Sequence, residues 1–267
     1  MPVMFVRPRA LIITGFGINS DYELAEAFNR TGSKAARIHI NDLITHKKNI
    51  RDFQIIAFPG GFSFGDHLGS GKIFANKFTG KLFADLQNHL ADKKLVIGIC
   101  NGFQVLVKAG ILPNLAGGFS PEATLTHNLS KKFEDRWVYL AVNAKNSSPW
   151  TENIGNIMLP VRHGEGRLYF KKENLLKQLC AEKLDALYYA DQNYLPTGEY
   201  PYNPNGSACN IAGLTDASGC VFGLMPHPEA FLIPENHPYW TLLKTSGKKI
   251  TIKTGLCFFK NAARYFR

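Results

Sequence analysis

One short stretch constrains this chain more than any other. Residues 95–99 read Leu-Val-Ile-Gly-Ile and run directly into Cys100-Asn101-Gly102, after which residues 101–109 carry a helical pattern closed by Gly110. Five consecutive uncharged residues predict a strand buried on both faces, the condition of an inner strand in a parallel sheet. The earlier pattern agrees. Residues 10–14, 36–40 and 53–58 read as strands. Residues 21–30 read as a helix with Leu24, Ala25, Ala27 and Phe28 on its apolar face and Ser20 at its N-cap, and residues 71–90 contain another. Strand, helix, strand, strand, helix, strand, helix predicts an α/β fold, an open and mostly parallel sheet flanked by helices. Such sheets bind ligands beyond the carboxyl ends of their strands, where Gly60-Gly61 and Cys100 fall.

The second half is richer in strands. Residues 137–142, 156–161, 207–214 and 220–225 read as strands, the last two joined by a turn at 215–219, while 173–182 and 258–266 read as helices. No Pro/Ser-rich linker and no repeat divides the 267 residues. The expectation is one domain over residues 1–267, with residues 230–267 as a C-terminal extension packing on it.

Hydrophobic residues at 45% and charged residues at 19% exclude a disordered chain. A net charge of +10 raises the question of nucleic acid, but Lys and Arg are scattered as singles or pairs such as Lys47-Lys48 and Lys131-Lys132, so no nucleic-acid partner is expected. The five cysteines are odd in number and include no C-x-x-C, which argues against a disulfide framework or a zinc ribbon and for a reducing compartment. The apolar stretch after Arg7 and Arg9 breaks at Gly15 and Gly17 without a cleavage site, and the uncharged segment 95–107 contains Asn101, Gly102 and Gln104. Neither a signal peptide nor a membrane span is expected, and the cytoplasm is the expected location.

The chemistry begins at Gly98-Ile99-Cys100-Asn101-Gly102. A strand that turns sharply through glycines into a helix presents the residue between them at the tip of the sheet, the nucleophile-elbow pattern with Cys in place of Ser. The helix N-terminus directs its N–H groups and positive dipole end at the sulfur. A buried structural cysteine is the bland alternative, and the other four cysteines, without this context, are read that way. A thiol nucleophile needs a base and an orienter. In Pro226-His227-Pro228-Glu229 the histidine and the glutamate stand two apart after a strand, so an extended backbone projects them the same way. Pro59-Gly60-Gly61-Phe62 closes the strand expected beside that of Cys100. Its backbone N–H groups, with that of Asn101, are suited to an oxyanion.

These three blocks, with Phe103 and Gln104 continuing the second, resemble the class I (triad) glutamine amidotransferases. Residues 60–66 (Gly-Gly-Phe-Ser-Phe-Gly-Asp), 163–167 (His-Gly-Glu-Gly-Arg), 203–207 (Asn-Pro-Asn-Gly-Ser) and 220–229 narrow the likeness to the branch of glutaminase subunits that serve phosphoribosylformylglycinamidine synthase in purine synthesis. The resemblance covers roughly residues 10–229. It implies Cys100 as nucleophile, His227 as general base and acid, Glu229 as its orienter, Gly61 and Asn101 as oxyanion-hole positions, and Gly60, Phe62 and Gln104 near bound L-glutamine. It further implies that this chain carries no cofactor of its own. A synthetase subunit, holding ATP and magnesium, would use the ammonia, and a small third subunit would join the complex. The 67–72 stretch receives no role, and the tail after Glu229 is longer than a compact glutaminase subunit requires.

His163 and Glu165 are too few for a metal site, and no metal is expected. Gly71-Lys72 is not a phosphate loop, because Asp66 stands where the first glycine belongs and Ile73 where Ser or Thr belongs. Three other readings stand beside the main one: a glutaminase serving another synthetase, a catalytically silent assembly subunit, and a cysteine hydrolase or chaperone of a related α/β family.

Overall fold

A computed structural model describes residues 7–246 and 252–267. The chain runs β1 (Arg9–Thr14), α1 (Asp21–Arg30), β2 (Lys34–His39), α2 (Ile40–Ile44), β3 (Ile55–Phe58), α3 (Lys72–Ala91), β4 (Leu95–Ile99), α4 (Asn101–Lys108), β5 (Ala123–Thr126), β6 (Glu134–Val142), β7 (Ile157–His163), β8 (Arg167–Phe170), α5 (Glu173–Ala181), β9 (Asp185–Ala190), β10 (Ile211–Thr215), β11 (Val221–Leu224), α6 (Trp240–Thr245) and α7 (Leu256–Tyr265). Nine strands form one sheet in the order β2-β1-β3-β4-β11-β10-β9-β6-β7, and β5 pairs with β8. All residues of β3 and β4 are buried, as the uncharged run predicts.

The expected parallel sheet holds for five strands: β2 with β1, β1 with β3, β3 with β4 and β4 with β11 run parallel. From β10 onward the pairings are antiparallel. The tight turn between β10 and β11 is the reason, since a turn this short reverses the chain, whereas parallel strands need a crossover. The sheet is therefore mixed, and "mostly parallel" applies to its first half.

Several boundaries differ from the sequence reading. The third strand starts at Ile55, because residues 50–52 form a 3₁₀ turn that buries Ile50. The strand expected from residue 207 starts at Ile211, because Cys209 adopts φ 48°, incompatible with a strand. Ser20 occupies the N-cap position of α1 but makes no capping bond with its side chain. The sequence reading gave no strand to β5, β8 or β9. Two of these have four residues, and β9 is an apolar run that periodicity does not separate from a helix.

Glycine lets helix and sheet approach closely under the elbow. A Cβ on Gly102 would drive into the Phe58 carbonyl oxygen, and one on Gly98 would sit 2.6 Å from the Gly102 oxygen. Gly102→Ala is expected to destabilise the fold by about 3 kcal/mol, the upper end for overpacking, read from the denaturant midpoint; an unchanged midpoint contradicts this packing account. At the C-terminus, Phe259 of α7 meets Phe28 of α1 edge-on at 5.0 Å, and Phe258 stacks on Phe222 of β11. Gly255, just before α7, abuts the Pro228 carbonyl so closely that no side chain fits. Among the described residues no helix is long and apolar enough to cross a membrane.

Candidate active site

The turn from β4 to α4 places Cys100 at φ 51°, ψ −106°, a left-handed-side conformation that non-glycine residues adopt only when the surroundings impose it. Here its N–H donates to the Leu224 carbonyl of β11 at 2.8 Å, and its carbonyl accepts the Gln104 N–H at 3.1 Å. The sulfur is thereby held at the start of α4, whose first N–H groups have no intrahelical acceptors and carry the positive end of the dipole.

Strand β11 lies beside β4 with Leu224 opposite Ile99, so the chain leaving it passes the elbow. The far edge of the sheet returns to the same point. His227 N–H donates to the Pro160 carbonyl of β7 at 2.8 Å, and the Cys100 thiol donates to the Arg162 carbonyl at 3.6 Å. His227 Nδ1 and Glu229 Oε1 are 2.6 Å apart, with both side chains buried. His227 Nε2 is also buried and takes no hydrogen bond among the described residues. Burial by itself disfavours the imidazolium. The Glu229 carboxylate and the nearby Cys100 sulfur outweigh it and raise His227 well above the ordinary imidazole range.

The Gly60-Gly61 turn completes the cleft. Phe62 N–H donates to the Gly17 carbonyl and Asn19 N–H to the Gly60 carbonyl, which makes Ile18 and Gly61 a bridge pair whose own N–H and C=O groups point away from each other. The Gly61 N–H is not used by that bridge. Gly61 has φ 146°, and any Cβ there would lie 2.6 Å from the Gly17 oxygen. A Cβ on Gly60 would lie 2.8 Å from His227 Cε1, so glycine here lets the imidazole sit against the turn. Gly60→Ala is expected to displace that ring and lower kcat about tenfold, a misplacement effect, with a melting temperature near wild type; full activity excludes the contact as a constraint. The cleft, about 110 Å³, is lined by Gly61, Phe62, Cys100, Arg162 and His227 together with Asn19, Ser20 and Phe133. Phe62 and Phe133 are half-exposed at its rim with ring centroids 6.3 Å apart.

Of the residues singled out in the sequence, Gly61, Phe62, Cys100 and His227 line the cleft, Gly60 and Glu229 lie against His227 behind it, and Asn101 and Gln104 are buried off the lining. Gln104 Nε2 donates to the Glu165 carbonyl at 2.6 Å, and its Oε1 accepts from Asn101 Nδ2 at 2.9 Å. Its amide ties α4 to the 163–167 turn. That turn is also tied to the loop after Gly61: Ser70 N–H donates to Glu165 Oε2, Ser70 Oγ to Asp66 Oδ2 and Lys108 Nζ to the Ser70 carbonyl. Burial raises the Asp66 carboxyl and lowers the Lys108 ammonium.

His163 is 3% exposed, and burial, reinforced by His227, lowers it to about 3, so it stays neutral. Its Nδ1 meets Asn128 Oδ1 at 3.1 Å, while Nε2 is buried without a partner among the described residues. No group of three or more His, Cys, Asp or Glu among the described residues is arranged to hold a metal. Sequence reasoning missed Asn19, Phe133, Arg162 and Asn128, because single residues on separate loops carry no spacing signal; it included Asn205 within residues 203–207 without a role and read Ser20 only as a helix cap.

A family model described as a CobB/CobQ-like glutamine amidotransferase domain matches residues 7–266. A Methanococcus maripaludis protein named phosphoribosylformylglycinamidine synthase subunit PurQ is 42% identical over 270 residues, covering 98% of each chain. A Dehalococcoides mccartyi protein of the same name is 42% identical over 263 residues, covering 97% of this chain and 98% of its own. In the solved structure of PurLQS from Thermotoga maritima, one chain superposes with a TM-score of 0.72 at 27% identity, covering 98% of this chain and all of that one. With an elbow cysteine, a glycine turn and a histidine meeting at one cleft, a glutamate paired to that histidine, and a family match over nearly its whole length, this chain belongs to the CobB/CobQ-like glutamine amidotransferases.

Proposed function

We propose that this chain is the glutaminase subunit of a phosphoribosylformylglycinamidine synthase, with Cys100, His227 and Glu229 as its catalytic triad. The observation that carries the triad is the convergence of the Cys100 elbow and the His227–Glu229 pair, 2.6 Å apart, on one cleft. The thiol proton goes to His227, and the sulfur attacks the side-chain amide carbon of glutamine. The carbonyl electrons move onto oxygen, held by the N–H groups of Gly61 and Asn101. As the tetrahedral intermediate collapses, the C–N bond breaks, its electron pair stays on nitrogen, and the His227 proton joins it. Ammonia leaves and a γ-glutamyl thioester remains on Cys100. Water, losing a proton to His227, attacks the thioester and releases glutamate, and the thiol is restored. Gly60 and Phe62 border the substrate.

The relatives' names support the destination of the ammonia, a synthetase subunit that turns formylglycinamide ribonucleotide into the amidine. The reading places ATP and magnesium on that subunit and no cofactor on this chain. It adds a small third subunit, consistent with the name of the solved assembly, and the cytoplasm as the site of action. Residues 1–267 act as one glutaminase unit that includes the 230–267 stretch.

The test combines the chain with its cognate synthetase subunit, glutamine, ATP and the nucleotide, and follows glutamate, ammonia and amidine. Amidine formed in step with glutamate is the expected result. Glutamate without amidine in any combination moves the chain to another synthetase. No glutamate, together with no labelling of Cys100 by a γ-glutamyl electrophile, leaves only an assembly role.

A further inference from the structure

The Arg162 carbonyl, which accepts the Cys100 thiol, is the first of five consecutive carbonyls that each have a donor. The His163 carbonyl accepts from Asn128 Nδ2 at 2.8 Å, and the Gly164 carbonyl from the Asn128 N–H at 2.9 Å. The Glu165 carbonyl accepts from Gln104 Nε2 at 2.6 Å, and the Gly166 carbonyl from Asn205 Nδ2 at 2.7 Å. Asn128 Nδ2 donates to the Lys132 carbonyl as well, and its Oδ1 accepts the Gly166 N–H at 3.0 Å. With both amide hydrogens committed to carbonyls, the orientation of Asn128 is fixed, and His163 must present Nδ1–H to Oδ1. Asn128 and Asn205 are 1% and 0% exposed. A turn held by amide donors at each carbonyl from His163 to Gly166 cannot swing without stranding buried donors. The Arg162 oxygen is therefore a fixed acceptor beside the reacting sulfur.

We propose that the Arg162 carbonyl recognises the scissile carboxamide by accepting an N–H of its –NH₂ group, and that Asn128 and Gln104 are positioning residues that hold it there. This rests on the glutaminase reading. Once the thiol proton has gone to His227, the Arg162 oxygen has lost its donor. The next donor to arrive is the nitrogen on the carbon that the sulfur has just joined. With the substrate oxygen directed to Gly61 and Asn101, that nitrogen faces His227, which protonates it, and the Arg162 oxygen, which accepts one of its hydrogens. Ammonia departs still able to donate to that oxygen. Glutamate, the product, offers only carboxylate oxygens, which a carbonyl oxygen repels. The same atom thus separates substrate from product.

The experiment compares glutamine with glutamate γ-methyl ester, whose leaving group carries no N–H, in the assembled complex. kcat/KM is measured for both substrates with wild type, Asn128→Asp and Gln104→Met, each checked by thermal melting. The glutamine-to-ester ratio is expected to fall about five- to tenfold in both variants, the worth of one hydrogen bond to the transition state, and inhibition by glutamate is expected to strengthen. A purely structural role, or contact of Gln104 with the α-groups of the substrate, lowers both substrates alike. An unchanged ratio in the variant or variants that melt as wild type therefore overturns the proposal. Gln104→Met removes a single tie to the turn and keeps the comparison available where Asn128→Asp does not fold. Wild type that hydrolyses neither substrate overturns the glutaminase reading itself; wild type that hydrolyses both, with a ratio the variants leave unmoved, overturns this inference alone.

Discussion

Glu229→Gln is expected to slow glutamine turnover about 10³- to 10⁴-fold with little change in KM, the scale on which removing an orienting carboxylate acts in triad enzymes. The carboxylate accepts from His227 Nδ1 at 2.6 Å, which in the proposed mechanism leaves Nε2 to receive the thiol proton. Its other oxygen, Oε2, has no hydrogen bond among the described residues, so the imidazole is its one polar partner there. A glutamine amide at the same place can present its NH₂ to Nδ1. That reverses the tautomer, puts the proton on Nε2, and leaves no base for the thiol. It also removes the charge that holds His227 high. Cys100→Ala is expected to abolish turnover altogether, and Cys100→Ala with Glu229→Gln to lose nothing further, since the residues act as a unit. Steady-state kinetics in the assembled complex decide this. A loss below about tenfold in Glu229→Gln removes the carboxylate from the mechanism.

Mild acid is expected to destabilise the fold through two buried histidines. Burial lowers His89 to about 4, against a hydrogen bond to the Leu95 carbonyl that favours its charged form, and lowers His163 to about 3. An unfolded histidine titrates near its ordinary value of about 6.5. Below that pH the unfolded chain binds protons that the folded chain refuses, so stability falls as pH falls through the window between about 6.5 and the folded values. Between pH 7 and pH 5 each histidine costs about 2 kcal/mol, together about 4 kcal/mol, or a factor of roughly 10³ in the folding equilibrium. His227 acts in the opposite sense. Its folded value is raised, so its contribution is complete below the unfolded value and is lost only as pH rises through the folded one. Urea unfolding at pH 7 and pH 5 measures the effect. His89→Gln, which keeps a donor for the Leu95 carbonyl, is expected to remove about half of the difference; equal acid sensitivity in the variant and wild type would show that His89 is not the group responsible.

Much of the fold was legible because its signals are local. The uncharged run 95–99 became β4 residue for residue, and residues 21–30 became α1 without adjustment. The antiparallel half was less legible. Strand β9 is apolar at almost every position, and nothing within it says that it lies between β10 and β6. Gln104 shows the same divide at the site. Its spacing from Cys100 was readable, but its amide faces Glu165, sixty-one residues on, so its place off the cleft was not.

By itself the sequence determined the pieces that glycine, proline and short-range spacing dictate. These are the elbow at Cys100, the glycine turn at Gly60-Gly61, and the stiff segment that sets His227 two residues before Glu229. Each depends on backbone sterics within a few residues, which one chain segment carries alone. Only the tertiary structure decided that the far strand β7 returns over the elbow, bringing Arg162 to the sulfur and Pro160 to His227. It also decided that Asn128, Asn205 and Gln104 fasten the turn beyond Arg162. Those contacts join residues tens of positions apart. They form only once burial of the sheet has set the ends of its strands side by side, and a single buried amide is then placed by all of its partners together.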